Sequence, residues 1–517
     1  MPTRVQHVKH RFAGGWATDF GTGARVAPDE SGTVQVPFLL RADDVLFDLS
    51  GSLRKPMGAT KLNATAFESG TRIHGIFDYW KWGATGIGAQ RRVLHVGRKI
   101  YYDTDSDGTF VELTSGLNSD AIVNYSTFDD LLIIGSTKDT PRSWDQTTFQ
   151  TLAGSPPAFS FSVKHKNFHF AAGVDAAPSR LYYSVQLDPE NWTGATSGNI
   201  DIDPNDGDRI TGLVSHKNEL WVFKGPYKGS IHRITGTSNA DFARSTFIEG
   251  VGAVWQNSIF RYRDDIGFLW SDGSIRSLKA TDAYGNFQEA SLSTPIQEYL
   301  DRSVNWRRLQ YACALPEPDG GRVWFSLPLV SSSKSVVLVL DSRFAAPRWT
   351  RLPTVDVASL GRAYHDKRQE LVLGGNDGFA RVLNSTTKSY SGTAYSADIL
   401  TPQFDYSAPE RMKILHAVGI GIVPHNNSNV TVGWRRDSNS QQTVTVAQGG
   451  APVLGAFTLG TSVLGDVHHS TRFARAEEGG EFRSIQYEIS HAVNNADLEL
   501  TEFVAGIAPS STSFEAT

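Results

Sequence analysis

Alternating aspartates in one short segment could bind a calcium ion. Asp103, Asp105 and Asp107 are followed by Gly108, which is the spacing that opens an EF-hand loop. Three carboxylates at alternate positions can surround one cation, but the place of the bidentate glutamate is taken by Thr114. Strand-like runs flank the segment. The favoured interpretation is therefore an Asp/Gly-rich hairpin turn, and a calcium loop is the alternative.

Three other acidic segments could carry carboxylate chemistry. Residues 201–208 read DIDPNDGD, and the pairs Asp272-Gly273 and Asp377-Gly378 resemble fragments of the sialidase Asp-box turn. A retaining glycosidase needs two carboxyl groups about 5 Å apart. The chain has 54 acidic residues, so the sequence singles out no such pair, and we interpret all three segments as structural turns. No nucleophile elbow, P-loop or dinucleotide fingerprint is present, which predicts no catalytic residue, no cofactor and no enzyme.

Five tryptophans could line a sugar-binding groove, although aromatic residues at the ends of β-strands more often pack between neighbouring sheets. They are Trp80, Trp82, Trp192, Trp255 and Trp306.

Short β-branched and aromatic runs that recur every 35 to 55 residues, roughly, predict the scaffold for these groups. The runs are Val93–Val96, Leu131–Ile134, Phe168–Ala171, Leu220–Phe223, Phe268–Trp270, Val323–Phe325 and Leu371–Leu373. Each has strand-like neighbours separated by Gly, Asp or Asn turns, which is the pattern of a propeller blade. The sequence predicts an all-β fold with a β-propeller of about seven blades, six to eight being allowed.

The prediction divides the chain into three segments. Residues 1–70 form an N-terminal extended arm with short strands, because they hold too few periodic apolar residues for a core of their own. Residues 71–395 form the propeller, and residues 396–517 form a C-terminal β-sandwich of alternating strands. A short helix is expected at 294–300, where Thr294 precedes a proline.

Composition excludes several classes of protein. The net charge of −5 over 517 residues lacks the basic excess of a nucleic-acid binder. The single cysteine, Cys313, excludes an intrachain disulfide scaffold. No apolar run is long enough for a membrane span, and the N-terminus does not have the pattern of a signal peptide. We therefore expect a protein made in a host or cellular cytoplasm.

Four groups of segments, in order along the chain, resemble the β-propeller proteins that form the tail nozzle or hub of short-tailed bacteriophages, also called tail tubular or stabilization proteins. The segments are Phe12-x-Gly14-Gly15 with Leu46–Gly51 and Arg54–Pro56; Leu181–Ser184 with Asp188–Thr193; Ile210–Leu213, Leu220–Lys224, Gly250–Ala253 and Ser271–Gly273; and Phe457–Gly460 with Arg483–Tyr487. All are patterns of turns and strands, and none is a catalytic signature.

The resemblance implies a mechanical role in the virion tail. It implies a homohexameric ring around the DNA exit channel, below the portal and adaptor proteins, that retains the genome until infection. Fibre or spike proteins are implied partners, and DNA passes without sequence recognition. Long insertions between blades, such as 226–252, are expected to narrow the channel.

Two other functions remain open at this point. One is a receptor-binding or fibre-anchoring tail module, which would need an exposed aromatic groove or a fibrous repeat. The other is a propeller glycosidase acting on host surface polysaccharide, which would need converging carboxylates in the central well.

Overall fold

The computed structural model describes residues 5–510 except 20–22, 25–27, 30–32, 83–87, 104–107, 120, 285–290, 320, 332–333, 366–367, 424–427, 438, 449–469 and 477–479. The described chain is mostly β-strand and turn, and it divides into two compact units. The propeller unit comprises residues 60–337 and 356–383. The sandwich unit comprises residues 1–59, 338–355 and 384–517. The predicted all-β class is confirmed.

Six antiparallel sheets, numbered blades 1 to 6 in chain order, make up the propeller. Blade 1 contains Ile73–Trp82, Gly88–Val96, Lys99–Asp103 and Phe110–Thr114; blade 2 contains Val123–Phe128, Leu131–Ser136, Arg142–Trp144 and Phe149–Thr151; blade 3 contains Phe161–His165, Phe168–Ala172, Arg180–Tyr183 and Gly198–Asp201. Blade 4 contains Arg209–His216, Glu219–Gly225, Ser230–Thr235 and Ala243–Glu249; blade 5 contains Ile259–Tyr262, Asp265–Leu269 and Ile275–Ser277; blade 6 contains Val357–His365, Arg368–Gly375, Ala380–Asn384 and Gly58–Lys61.

A hairpin of Cys313–Pro316 and Arg322–Pro328 lies between blades 5 and 6 in the chain. The seven predicted strand runs mark the second strand of each blade and of this hairpin. The blade count is six, one below the expected seven and within the allowed range. The hairpin is not counted as a blade because its sheet continues through the strand Ser335–Asp341. Within that strand the chain passes from the propeller unit to the sandwich unit.

Apolar clusters between neighbouring blades hold the ring together. Blades 1 and 2 share Val93, Ile100 and Leu132, and similar clusters join blades 2, 3, 4 and 5. Because these blades bury faces against one another, closure of the ring makes it rigid. Ile73 of blade 1 and Val372 of blade 6 belong to one cluster, which joins these two blades and closes the ring.

The segment 226–252 is not an insertion, which corrects the expectation drawn from its length. It contains two blade strands, Ser230–Thr235 and Ala243–Glu249, that continue the ladder of blade 4. Glycines and a proline at its start give the segment the composition of a loop. Its two strands nevertheless pair with each other, and Ser230–Thr235 also pairs with Glu219–Gly225 of the same blade. Its deletion would remove half of a blade, so this segment is not a candidate gate.

Helices are short. Among the described residues, the α-helices are Leu278–Tyr284 and Gln297–Ser303, and the 3-10 turns are Phe67–Ser69, Gln256–Ser258, Thr294–Ile296 and Trp306–Tyr311. The helix expected at 294–300 is therefore present as a 3-10 turn that continues into an α-helix.

Two sheets form the sandwich unit. One sheet runs in the order Thr33–Val36, Gln6–Phe12, Glu499–Pro509, Lys413–Ile422 and Ser470–Arg475, with Glu481–Phe482, Leu46–Phe47 and Leu53–Arg54 at its sides. The other runs in the order Gly23–Ala24, Gln403–Phe404, Ile485–His491, Ala397–Leu400, Arg41–Asp43 and Arg348–Arg351, with Asn429–Arg436 and Gln442–Ala447 beside Ile485–His491. A small hairpin, Ser389–Tyr390 with Thr393–Ala394, also belongs to this unit.

The predicted N-terminal arm belongs to this sandwich, which changes the predicted division at residues 70 and 396. Its strand Gln6–Phe12 pairs with both Thr33–Val36 and Glu499–Pro509. Between the sheets, the His10 ring stacks on Phe503 with their centroids 4.0 Å apart. Burial lowers the pKa of His10 to about 3, so its ring is neutral. The arm therefore supplies part of a core that it could not form alone.

His169 gives the propeller a measurable dependence on pH. The side chain is fully buried in blade 3, and its Nε2 lies 3.1 Å from the Ser126 hydroxyl. Burial lowers the pKa of His169 to about 3 from 6.5. The unfolded chain therefore binds a proton that the folded chain excludes, and stability is lost as the pH falls below about 6.5.

We predict that the titration of His169 lowers the free energy of unfolding by about 2 kcal/mol between pH 7 and pH 5. Urea unfolding followed by tryptophan fluorescence should show a shallower pH dependence for His169→Gln than for the parent chain. The control is His416→Gln, since His416 is exposed. Equal slopes for His169→Gln and the parent would contradict the prediction.

Candidate functional site

Two adjoining cavities lie within the propeller unit, where the first strands of the blades converge. The narrow cavity, about 250 Å³, is lined by the first strands of blades 1, 2, 3 and 6 and by the hairpin that begins at Cys313. The wide cavity, about 800 Å³, is lined by loops at the blade ends. The two share Ile122, Gln310 and Tyr311, so we call the pair the axial cavity.

Two arginines lie against the ring of Tyr311, which lines both parts of the axial cavity. Arg72 comes just before the first strand of blade 1, and Arg308 lies in the 3-10 turn Trp306–Tyr311. Each guanidinium carbon is 5.2 Å from the centroid of the Tyr311 ring. Cation–π contact of this kind stabilises each arginine without neutralising its charge.

Neither arginine forms an ion pair within the part of the chain that the structure describes. Burial lowers the pKa of Arg72, and the neighbouring charge of Arg308 lowers it as well. Asp356 is the carboxylate that acts on Arg72, and its Oδ1 already accepts a hydrogen bond of 2.6 Å from Asn376. Arg72 therefore lies in the lining of the narrow cavity without an ion-pair partner among the described residues, whereas Arg308 lies outside the lining of both cavities.

The wide part of the axial cavity adds more cations and aromatic rings. Arg209 lies 5.8 Å from the ring of Trp255 and forms an ion pair of 2.8 Å with Asp175. The exposed side chains of Lys138 and Arg307 also line it. Among the described lining residues Asp175 is the one carboxylate, so the two carboxyl groups that a glycosidase needs are not found in this lining.

Cys313 lines the narrow part of the axial cavity. Its Sγ lies 3.9 Å from the carbonyl oxygen of Ala358. Burial raises the pKa of the thiol to about 11, so it stays protonated at neutral pH. A protonated thiol is a poor nucleophile, and this agrees with the interpretation of Cys313 as a packed residue.

The candidate calcium loop is only partly described. Asp103 is buried at the end of its strand, where one carboxylate oxygen lies 3.7 Å from the Arg92 guanidinium and accepts a hydrogen bond of 3.1 Å from the Gly108 N–H. Asp105 and Asp107 lie outside the described residues, so calcium binding there stays a prediction. No group of three potential metal ligands occurs elsewhere in the described ranges.

The second acidic segment, residues 201–208, binds the ammonium group of Lys224. The Lys224 Nζ lies 2.8 Å from the carbonyl oxygens of both Ile202 and Asp203, and 2.7 Å from a carboxylate oxygen of Asp206. The Lys224 side chain is completely buried, so these oxygens supply the partners that a buried ammonium requires. The cation bound by this acidic segment is therefore the ammonium group of Lys224.

The last aspartate of this loop anchors the next turn of the same blade. The Asp208 carboxylate accepts hydrogen bonds of 2.7 to 2.9 Å from the backbone N–H groups of Tyr227, Lys228 and Gly229. Gly229 has a φ of +73°, and a Cβ there would lie 2.4 Å from the Trp270 ring, so the turn requires glycine.

The two Asp-Gly pairs form the same structure in different blades. In each, the aspartate pairs with an arginine four residues later, Arg276 for Asp272 and Arg381 for Asp377. Both arginines are almost fully buried. These aspartates therefore close hairpins through charge-assisted hydrogen bonds, in agreement with their interpretation as structural turns.

The five tryptophans separate into two groups. Trp255 and Trp306 line the axial cavity, and Trp255 also packs between blades 3 and 4. Trp80 packs on Tyr364, Trp192 packs on Phe159, and Trp82 is exposed. The tryptophans therefore form no common groove.

Sequence reasoning did not identify the contacts of Arg72 and Arg308 with Tyr311. Arg72 and Arg308 are separated by more than two hundred residues, and neither belongs to a motif. The one local signal is the run Trp306-Arg307-Arg308, which places aromatic and cationic side chains together.

No protein-family model and no curated protein matches the chain. A solved structure entitled "YCF48 bound to D1 peptide" is similar over 64% of this chain and 95% of that chain, with 11% sequence identity and a TM-score of 0.38. Within the described ranges no helix is long and apolar enough to cross a membrane.

We predict that the Lys224 ammonium stabilises blade 4 by joining it to the acidic loop. Lys224→Met leaves the Asp206 carboxylate and two carbonyl groups without their donor, and should lower the free energy of unfolding by about 3 kcal/mol. Urea unfolding measures this loss. The exposed Lys228, changed to Met, is the matched control and should alter stability by less than about 0.5 kcal/mol. Equal stability of the two variants would contradict the role assigned to Lys224.

Proposed function

We propose that this chain is a structural virion protein, a tail nozzle or hub subunit of a short-tailed bacteriophage. In this proposal six copies form a ring around the DNA exit channel, below the portal and adaptor proteins. The ring retains the genome and lets it leave at infection, and fibre or spike proteins attach at its side. The protein is made in the host cytoplasm and acts in the virion tail.

The observation that carries the proposal is a closed propeller together with a second unit built on a strand pair of long sequence separation. Closure leaves few free strand edges in the propeller, which gives a rigid body. In the sandwich unit the strands Gln6–Phe12 and Glu499–Pro509 are hydrogen-bonded to each other. Both features suit a part that bears mechanical load.

The chemistry of the acidic turns also favours a structural role. Three of the acidic turns have a carboxylate that pairs with a cation of the protein. The pairs are Asp206 with Lys224, Asp272 with Arg276, and Asp377 with Arg381. A carboxylate that pairs with a cation of its own blade already has a structural partner. This supports a structural part more than a glycosidase.

The sandwich unit offers a surface for contact between subunits. Strand Ser470–Arg475 stands at the end of its sheet and has one described neighbour in it. Phe473 on this strand is 53% exposed, which is unusual for a large apolar side chain. An edge strand with an exposed aromatic residue is a ready site for heterologous contact, the kind that closes a ring.

A receptor-binding or fibre-anchoring module is the second candidate. The exposed Tyr227 at the rim of the axial cavity, near Trp255 and Trp306, favours it, because aromatic side chains of this kind bind sugars and peptides. Both candidates are virion proteins, and the position of the chain in the particle separates them.

We predict that the chain lies on the axis at the tip of the tail. Gold-labelled antibody against the chain should bind there on electron micrographs of the virions that carry it. Particles assembled without the chain are the control. Label at the periphery would favour the fibre-anchoring module, and particles without any label would overturn the virion role.

We predict that Phe473→Asp weakens ring assembly without unfolding the subunit, because a carboxylate at an apolar contact must be desolvated. Mass photometry of the purified chain should show fewer rings and more monomers. Leu187→Asp is the matched control, since Leu187 is 63% exposed in the propeller unit. If both variants assemble like the parent, this edge is not the subunit contact.

A further inference from the structure

We propose that a pocket in the sandwich unit binds an acidic peptide segment of a partner protein, with a carboxylate held by Arg348 and Lys9 and an apolar side chain packed on Leu49. The inference is drawn from the sandwich unit alone and does not depend on the proposed role in a virion. It names a partner chemistry that the role proposed above leaves open.

The pocket has a volume of about 650 Å³ and lies against the outer face of one sheet. On the strand Gln6–Phe12, Lys9 and Arg11 are exposed, whereas the residues before, between and after them are buried. Because side chains alternate along a strand, Lys9 and Arg11 point to the same face, and both line the pocket. Leu49 and Arg348 line it as well. These cations and this apolar side chain therefore border one common space.

Arg348 is held in a fixed orientation in this pocket. Its guanidinium carbon lies 3.7 Å from the centroid of the Phe344 ring and 4.7 Å from that of the Phe47 ring. Its Nη1 donates a hydrogen bond of 3.3 Å to the carbonyl oxygen of Phe12. Contacts of this kind position a guanidinium without neutralising its charge. The planar group is thereby arranged in advance for a carboxylate.

Neither Arg348 nor Lys9 has a carboxylate partner among the described residues. Burial lowers the pKa of Arg348, and the negative charge of Asp341 opposes this only in part. The Asp341 carboxylate pairs instead with Arg343, with 2.7 Å between the charged atoms. The Lys9 side chain forms no hydrogen bond or ion pair with the described part of the chain. Both charges are therefore available to a ligand.

The lining of the pocket carries a positive excess. Lys9, Arg11 and Arg348 are its cations, and Glu502 is the one carboxylate among the described lining residues. Glu502 is buried and lies 3.6 Å from the Arg11 guanidinium, so its charge is directed to that arginine. In a chain whose net charge is −5, a local excess of cations favours an acidic partner.

An exposed leucine distinguishes a peptide from an inorganic ion as the occupant. Leu49 lies in the turn between strands Leu46–Phe47 and Leu53–Arg54, and it is 67% exposed. An inorganic anion would leave this side chain in water, whereas a peptide with an apolar residue beside its carboxylate would cover it. The pocket volume also exceeds what a single inorganic ion fills. The occupant is therefore an acidic segment that contains apolar residues.

Titration of the purified full chain with a labelled peptide tests the proposal. The probe is a fluorescein-labelled hexapeptide that alternates aspartate and leucine, and the comparison peptide alternates asparagine and leucine. Fluorescence anisotropy should show saturable binding of the acidic peptide with one site per chain, and binding of the neutral peptide that is at least about tenfold weaker. Because salt screens charges, raising the salt from about 0.05 M to about 0.5 M should weaken the acidic peptide several-fold.

Variants assign the binding to the pocket. Arg348→Gln should weaken the acidic peptide by about tenfold, because a charge-assisted contact is lost. Lys9→Gln should weaken it by about threefold, since an exposed charge contributes less. Leu49→Ser should weaken both peptides by about fivefold, because both lose the same apolar contact.

Matched controls lie outside the pocket lining. Arg411→Gln removes an arginine that is 78% exposed in the same unit, and Leu187→Ser removes a leucine that is 63% exposed in the propeller unit. Neither should change the affinity for the acidic peptide. Thermal unfolding shows whether Arg348→Gln folds; if it does not, the exposed Lys9 and Leu49 decide the outcome.

Four results would overturn the proposal. One is the absence of saturable binding of the acidic peptide, and another is binding that Lys9→Gln and Leu49→Ser both leave unchanged. The third is competition by inorganic phosphate at the same concentration as the peptide, which would identify an ion site without a docking surface. The fourth is self-association of the chain that Lys9→Gln abolishes, which would identify a second copy as the occupant.

Discussion

The contact between blade 6 and blade 1 is the constraint on which the rest of the propeller depends. Ile73 and Ile76 of blade 1 pack in one cluster with Ala363 and Val372 of blade 6. The Ser359 hydroxyl donates a hydrogen bond of 2.9 Å to the Ile73 carbonyl, which fixes the register of this joint. An open ring would expose both apolar faces, so closure and burial are gained in the same step. The first strands are thereby placed around one cavity.

Closure also explains which features could be predicted from the sequence. Strand runs such as Leu220–Phe223, and turns such as Asp272-Gly273, are set by neighbouring residues, so local pattern predicts them well. The contact of Arg72 with Tyr311 is set by the ring, because the two residues are far apart in the chain. No local pattern encodes that contact, so the axial cavity emerges only from the folded structure.

Two differences from the prediction have the same physical origin. Residues 226–252 have the composition of a loop, yet their strands find partners in blade 4. The N-terminal strand Gln6–Phe12 has few apolar residues, yet it is an interior strand of its sheet because Thr33–Val36 and Glu499–Pro509 pair with its two edges. In both cases a ladder partner supplies the stability that the segment lacks by itself. Segment composition alone underestimates such strands.

The propeller neutralises its acidic turns with its own cations. Asp206 pairs with the buried Lys224, and Asp272 and Asp377 pair with Arg276 and Arg381. A buried cation that lost its carboxylate would be left without a partner, which is costly away from water. These pairs therefore fix the turns within single blades, and the closed ring depends on local charge pairing as well as on apolar burial between blades.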